Sequence, residues 1–433
     1  MNMTRKIKRE AEMKYNAFKD TLKMMKHYFP DFMELLSKID DPRHQSYITY
    51  PQEELIMISM FSRFAQLKSR NHMNECFNNE SVIHCTQLLF DEKLTEVPHG
   101  DTINNYFKEV SVEQFRRIMY GMFNDLIKMK VLDDYKIEDQ YYHLIIDGVN
   151  MHSYTQKHTD GCLEKHHQTG QITYHNDALV AVISMGNIVI PVDFEMIENV
   201  GKAYNKQDCE INAAKRLLKR IKTNFKRLKI CVSGDALYFG EPMIHLIEES
   251  RWKYMITFKE TCSKEVTEYY ETLKKHHDSI VHDDGKSTYE YANDIEYRDN
   301  RFHIIEISDN EGNRFCYVTN IRITEKNYKR MGQHGRNRWK IENKSFNDLK
   351  NHGYHFKHAM SYEENAMKIN IIITLISHLI MQLLEHYEKT KQRFETIRKL
   401  GEDIKEALRF TLLSAQDIKE IATPFYISRL IPY

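Results

Sequence analysis

Apolar positions recur at a helical period through residues 1–130 and at strand periods after that. The opening segment is basic and amphipathic. Between Glu53 and Leu67, apolar Leu55, Ile58, Phe61 and Phe64 share one helix face. Ser111 with Gln114 has the form of a capping box, ahead of Phe115, Ile118, Met122, Leu126 and Met129 on one face. The acidic polar run Asp133–Gln140 marks a boundary. From Tyr141 the pattern turns to strands. YYHLIIDGV reads as a buried strand ending in a carboxylate, Asp147, and Gly148. Ala178–Met185 and Ile188–Met196 follow as strands joined by a tight Gly186–Asn187 turn. A helix is expected from Asp208 to Phe225. LKICVSGDALYF gives another strand ending at Asp235, then a helix over Leu237–Glu249 and a strand over Lys253–Phe258. Three strands, helix, strand, helix, strand predicts an α/β mixed sheet flanked by helices.

The aromatic, acidic stretch 259–322 interrupts this order with strand-like alternation near His303–Ile307 and Phe315–Ile321. It reads as a β-rich insertion whose tyrosines either pack on strand faces or hold an unstacked base. Gly335–His358 reads as a basic helix around Glu342, with Trp339 either stacking on a base or, the favoured reading, packing in the core. Ser361 and Glu364 form a second capping box before the apolar run Ala366–Leu384. Lys368, Asn370, His378 and Gln382 within that run favour a buried helix over a membrane span. The expected organisation is a helical domain at 1–135, for binding, dimerisation or equally as a scaffold, and a core at 136–258 and 323–390. The insertion at 259–322 and a helical tail at 391–433 complete it.

Composition narrows the class. With 41% hydrophobic and 29% charged residues the chain is globular, and no signal peptide or membrane partner is expected. Seven scattered cysteines without a CxxC fit a reduced cytoplasmic protein, and His152, His158, His166 and His167 fit no closed metal site. Net charge is zero, but Lys and Arg outnumber acids eight to three in 1–30, nine to two in 205–230 and eight to two in 322–344. Such local basic surfaces can bind phosphate backbones in a neutral protein.

The chemistry rests on acids. Asp147 and Asp235 at strand ends can converge at one sheet edge, and Glu342 lies within the basic segment. Close carboxylates repel by about 4 kcal/mol at 4 Å in an effective dielectric near 20, so a cluster of three needs cations. Oxygen ligands favour Mg²⁺ or Mn²⁺, and two such ions suit in-line attack on a phosphodiester.

HLIIDG, FEMIEN, KQDCE, SGDALYF and RWKIENKSFNDLKNHGYH, in that order, resemble the DDE transposases of bacterial insertion sequences. The subgroup it resembles has a ribonuclease-H-like core interrupted by a β-strand insertion. The resemblance, over residues 100–385, implies Asp147, Asp235 and Glu342 as catalytic, metal-binding residues using two Mg²⁺ or Mn²⁺ ions. It implies a Tyr-Arg-Glu-Lys signature in which Arg338 and Lys350 meet DNA phosphates, with Arg336 and Lys340 beside them. Gly335 stands in the place of the Tyr, and Lys350 falls one residue late. The implied partners are the terminal inverted repeats and target DNA, met by a homodimer that is nucleoid-associated when bound. A catalytically inactive DNA-binding derivative and a structure-specific nuclease of the same fold are the alternatives.

Overall fold

The computed structural model describes residues 15–90, 95–199, 207–339 and 341–422. The chain divides into a helical unit, 1–129 with 347–433, and a sheet unit, 130–346. The basic N-terminal segment lies largely outside the described residues.

In the helical unit the chain first forms α1 (Ala17–Tyr28), α2 (Phe32–Ser37), α3 (Gln52–Phe64), α4 (Arg70–Phe77), α5 (Glu80–Phe90), α6 (Gly100–Glu109) and α7 (Val112–Lys128). The Asn16 side chain caps α1 by accepting from the Lys19 amide at 2.9 Å. Ser111 is the N-cap residue of α7, but its side chain makes no capping bond. Gln114, the other half of the expected box, accepts instead from the Asp40 amide at 2.7 Å. The sequence motif is present; a loop claims one of its two side chains.

The sheet unit follows as β1 (Tyr142–Tyr154), β2 (Leu163–His166), β3 (Ile172–Met185), β4 (Ile188–Ile197), α8 (Glu210–Asn224), β5 (Ile230–Gly234), α9 (Glu241–Glu249), β6 (Lys253–Thr257) and α10 (Lys264–Lys275). Then come β7 (Ile280–Asp283), β8 (Ser287–Tyr297), β9 (Asn300–Asp309), β10 (Arg314–Thr319), α11 (Tyr328–Arg336) and a π-helical turn, Ile341–Phe346. One sheet runs β2–β3–β1–β5–β6–β10–β9–β8–β7, with β4 also paired to β3. β1, β5 and β6 are parallel; β3 runs antiparallel to β1 and to β4. The stretch 259–322 therefore holds a helix, and its four strands extend the main sheet through β10 against β6. Tyr289, Tyr291 and Tyr317 are buried in one cluster with Cys231 and Met255, so they pack on strand faces.

The chain then returns to the helical unit with α12 (Asn347–Asn351), α13 (Glu364–Glu385), α14 (Glu388–Lys391), α15 (Ile397–Phe410) and α16 (Ala415–Ala422). α13 is long and apolar enough to cross a membrane by length and composition, yet 89% of that window is buried in the protein. It packs on α1, α3, α6 and α7. This differs from the grouping of 323–390 with the sheet: a helix apolar on every side is covered here by helices from the other end of the chain. Its polar residues are used there, since buried Arg63 donates to Asn370 Oδ1 at 2.8 Å and to Thr374 Oγ1 at 3.2 Å. Ser361 does not cap α13; Glu363 is the N-cap residue.

Candidate active site

The parallel ladder between β1 and β5 ends at the pair Ile145–Ser233. Two residues further along each chain stand Asp147 and Asp235. Asp147 is not at a strand end, because β1 continues to Tyr154 paired with β3, and Asp147 itself lies opposite Val180. What ends there is the ladder to β5. The opening leaves the Asp147 carboxylate beside the turn that follows β5, in which Asp235 accepts from the Leu237 amide at 2.8 Å.

Two residues not singled out as site candidates complete this corner. Glu210, the first residue of α8, accepts a short hydrogen bond from the Tyr238 hydroxyl. A Cβ on Gly148 would lie 2.7 Å from Glu210 Oε2, so the glycine after Asp147 makes room for this acid. The only sequence signal was KQDCE within the family resemblance; nothing local says that the Glu turns back onto β1.

The electrostatics are those of buried carboxyls with like charges nearby. The carboxyl of Asp147 is pushed up to about 6, chiefly by burial, with Glu210 and Asp235 adding to the rise and Arg338 and the Gly148 amide opposing it. Glu210 is likewise raised by burial and by Asp235 and Asp177, against the Tyr238 hydrogen bond. Burial raises the Tyr238 hydroxyl, and the negative charge of Glu210 adds to that.

Arg338 Nη1 lies 3.6 Å from Asp147 Oδ2. The side chain is buried, and its Nε has no hydrogen-bond partner among the described residues. A planar guanidinium with a free donor edge is suited to a phosphate oxygen.

Glu342 is exposed on the π-helical turn, which packs against β1 and β4. Among the described residues no group of three or more acidic, histidine or cysteine side chains is placed to hold a metal ion. The expected continuous helix over 335–358 is broken: α11 ends at Arg336 and Glu342 lies in a π-helical turn. Trp339 is 45% exposed, so it is not a core residue. A Cβ on Gly335 would meet the Tyr317 ring at 2.6 Å, which leaves no space for the Tyr of the resembled signature. The Arg336 guanidinium covers the Phe315 ring at 4.6 Å. Lys340 lies outside the described residues, and Lys350 is in α12 of the helical unit.

The basic face expected on α8 is mostly committed to the fold. Arg220 pairs with buried Asp193 at 2.7 Å and with Glu195 at 2.6 Å. Arg216 pairs with Glu195 and Asp208, each at 2.6 Å, while Lys222 donates to the Ser250 carbonyl at 2.8 Å. These bonds tie α8 to β4 and α9 and so hold Glu210 in place.

The donor set fits a divalent cation of the Mg²⁺ type at Asp147 and Asp235. Both are oxygen donors, and a cation would offset the burial of the Asp147 carboxylate and the lesser repulsion from Glu210 and Asp235.

The chain matches a second family, described as DDE_Tnp_1-associated, over residues 33–122. No curated protein matches it. The cryo-electron microscopy structure of a piggyBac transposase synaptic complex with hairpin DNA is similar at 13% identity and a TM-score of 0.41, over 95% of this chain and 83% of that one. Residues 138–380, more than half of the chain, match the transposase DDE domain, and the protein belongs to that family.

Proposed function

We propose that this transposase cleaves DNA at the terminal inverted repeats of its element and joins the freed 3′-hydroxyl to target DNA. The observation that carries the reading is the Asp147–Asp235 pair where the β1–β5 ladder opens, with Asp147 raised to about 6 chiefly by burial and further by Glu210 and Asp235. Asp147 and Asp235 hold the divalent ions, two Mg²⁺ or Mn²⁺, and Glu342 is the third carboxylate of the reaction. When bound, the ions supply Lewis acidity and a deprotonated oxygen nucleophile at neutral pH. Asp147 must be ionised to take part, and Arg338 opposes its protonation. The guanidinium of Arg338 contacts a phosphate oxygen of the end, and Arg336, Lys340 and Lys350 add phosphate contacts.

The antiparallel β4–β3–β1 ladder continued by parallel β5 and β6 supports a ribonuclease-H-like core. The helical segment 1–135 binds end DNA or the second subunit of a homodimer in the paired-end complex, acting on DNA in the cytoplasm.

The test is strand transfer on repeat-end DNA in Mg²⁺. Asp147→Asn, Asp235→Asn and Glu342→Gln should each abolish cleavage and joining while leaving end binding. Full strand transfer by Asp235→Asn would overturn the reading, and equal cutting of DNA lacking the repeats would favour a structure-specific nuclease.

A further inference from the structure

Glu210 and Tyr238 come from distant parts of the chain and meet directly behind the two aspartates. Glu210 opens α8, while Tyr238 closes the short 3₁₀ turn Ala236–Tyr238 that Asp235 caps. Each is seated by a glycine next to one of the aspartates. Gly148 follows Asp147 and leaves space for the Glu210 carboxylate; a Cβ there would lie 2.7 Å from Oε2. Gly234 precedes Asp235 and leaves space for the Tyr238 ring, whose Cδ2 would be 2.4 Å from an added Cβ. The Tyr238 hydroxyl then donates to Glu210. The chain of contacts runs from Asp147–Gly148 through Glu210 and Tyr238 to Gly234–Asp235.

An acid at the first position of a helix is ordinarily favoured by the helix dipole and by solvent. Glu210 instead turns toward β1, half-buried, where Asp235 and Asp177 act on it and Asp147 feels its charge. A third carboxylate among like charges is a poor stabiliser of the fold. Tyr238 needs no acid for its packing either, because its ring is fully buried against Gly234. The contact makes sense as a clamp across the point where the β1–β5 ladder has ended and no backbone hydrogen bonds hold the two aspartates in register.

We propose that Glu210 and Tyr238 are a positioning pair that fixes Asp147 relative to Asp235 for cation loading, so that the transposase depends on a fourth acid outside its three candidate ligands. This rests on the reading of Asp147 and Asp235 as cation ligands. Glu210 acts through its hold on Gly148 and on the Asp235 turn. Outer partners of metal ligands of this kind typically contribute about 10–100-fold in metal affinity or activity.

The experiment uses the full chain. Mn²⁺ binding is measured by titration calorimetry, alongside melting temperature and end cleavage as a function of Mn²⁺ concentration. Tyr238→Phe keeps the ring in place and removes only the hydroxyl; Glu210→Gln keeps the shape and removes the charge. Each should weaken Mn²⁺ binding by about 10-fold or more, with melting temperature near wild type and cleavage partly recovered at high Mn²⁺. The double variant should be little worse than either single one, as expected of two residues acting through one contact. Asp235→Asn is the reference for the underlying reading. If it too binds Mn²⁺ like wild type, the aspartate site itself is misassigned. If it loses binding while Tyr238→Phe and Glu210→Gln keep wild-type affinity, the positioning pair is overturned alone. A lowered melting temperature with unchanged Mn²⁺ affinity overturns it as well, since that is the result of a purely structural contact.

Discussion

Arg338 Nη1 sits 3.6 Å from Asp147 Oδ2, so the arginine offered to DNA phosphate also faces a candidate metal ligand. Its Nε, buried and without a partner among the described residues, is a donor still to be satisfied. Arg338→Ala should therefore lose one phosphate contact and with it about one unit of the salt dependence of end-DNA binding. Arg338→Lys should restore the charge but not the planar second donor, leaving cleavage well below wild type. Filter binding across a salt series, with cleavage rates on the same DNA, decides both points.

Asp147 carries a pH dependence with a defined sign. Its carboxyl is raised from 3.8 to about 6 in the folded chain. The folded state therefore holds a proton that the unfolded state releases, and the associated stability is present below about pH 4 and lost as pH rises through about 6. With chelator present, Asp147→Asn should gain stability relative to wild type between pH 4 and pH 7, by at most about 3 kcal/mol. Melting curves of the two proteins across that range would show it. Cation binding has the opposite dependence: Mn²⁺ affinity should fall as pH drops below about 6, since the ligand must be ionised.

The α8 arginines should behave as fold residues. Asp193 is fully buried and Arg220 is its ion-pair partner at 2.7 Å, so Arg220→Ala removes the guanidinium from a buried carboxylate. Removing one member of a buried pair typically costs about 3–5 kcal/mol. Arg220→Ala should accordingly unfold at markedly lower denaturant concentration. The salt dependence of end-DNA binding, measured below the unfolding transition, should stay as in wild type.

Gly335 gives a third kind of test. A side chain there meets the Tyr317 ring, which belongs to the buried cluster shared by the sheet. Gly335→Ala should destabilise the chain by about 1–3 kcal/mol through overpacking. Tyr317→Leu should relieve part of that cost in the double variant. Chemical denaturation of the single and double variants measures the coupling.

Much of the secondary structure was legible because local patterns are enforced locally. The strand through Asp147, the hairpin at Gly186–Asn187, the helix after Asp208 and the strand before Asp235 all stand near their expected places. The capping boxes at Ser111 and Ser361 were less reliable, because a side chain free to cap is also free to serve a neighbouring loop, as Gln114 does for Asp40.

The sequence by itself determined the α/β alternation, the buried character of α13 and the motifs by which the chain is placed among DDE transposases, since periodicity and motif order need no knowledge of partners. Tertiary structure alone decided the rest. It showed that 259–322 continues the main sheet and that the α8 arginines serve Asp193, Glu195 and Asp208. It also brought Glu210 and Tyr238 to the two aspartates and left Glu342 on an exposed π turn. The physical reason is common to all of these. A charge or a glycine is recorded in the sequence, but which side chain partners it is not, and only packing brings the two into contact.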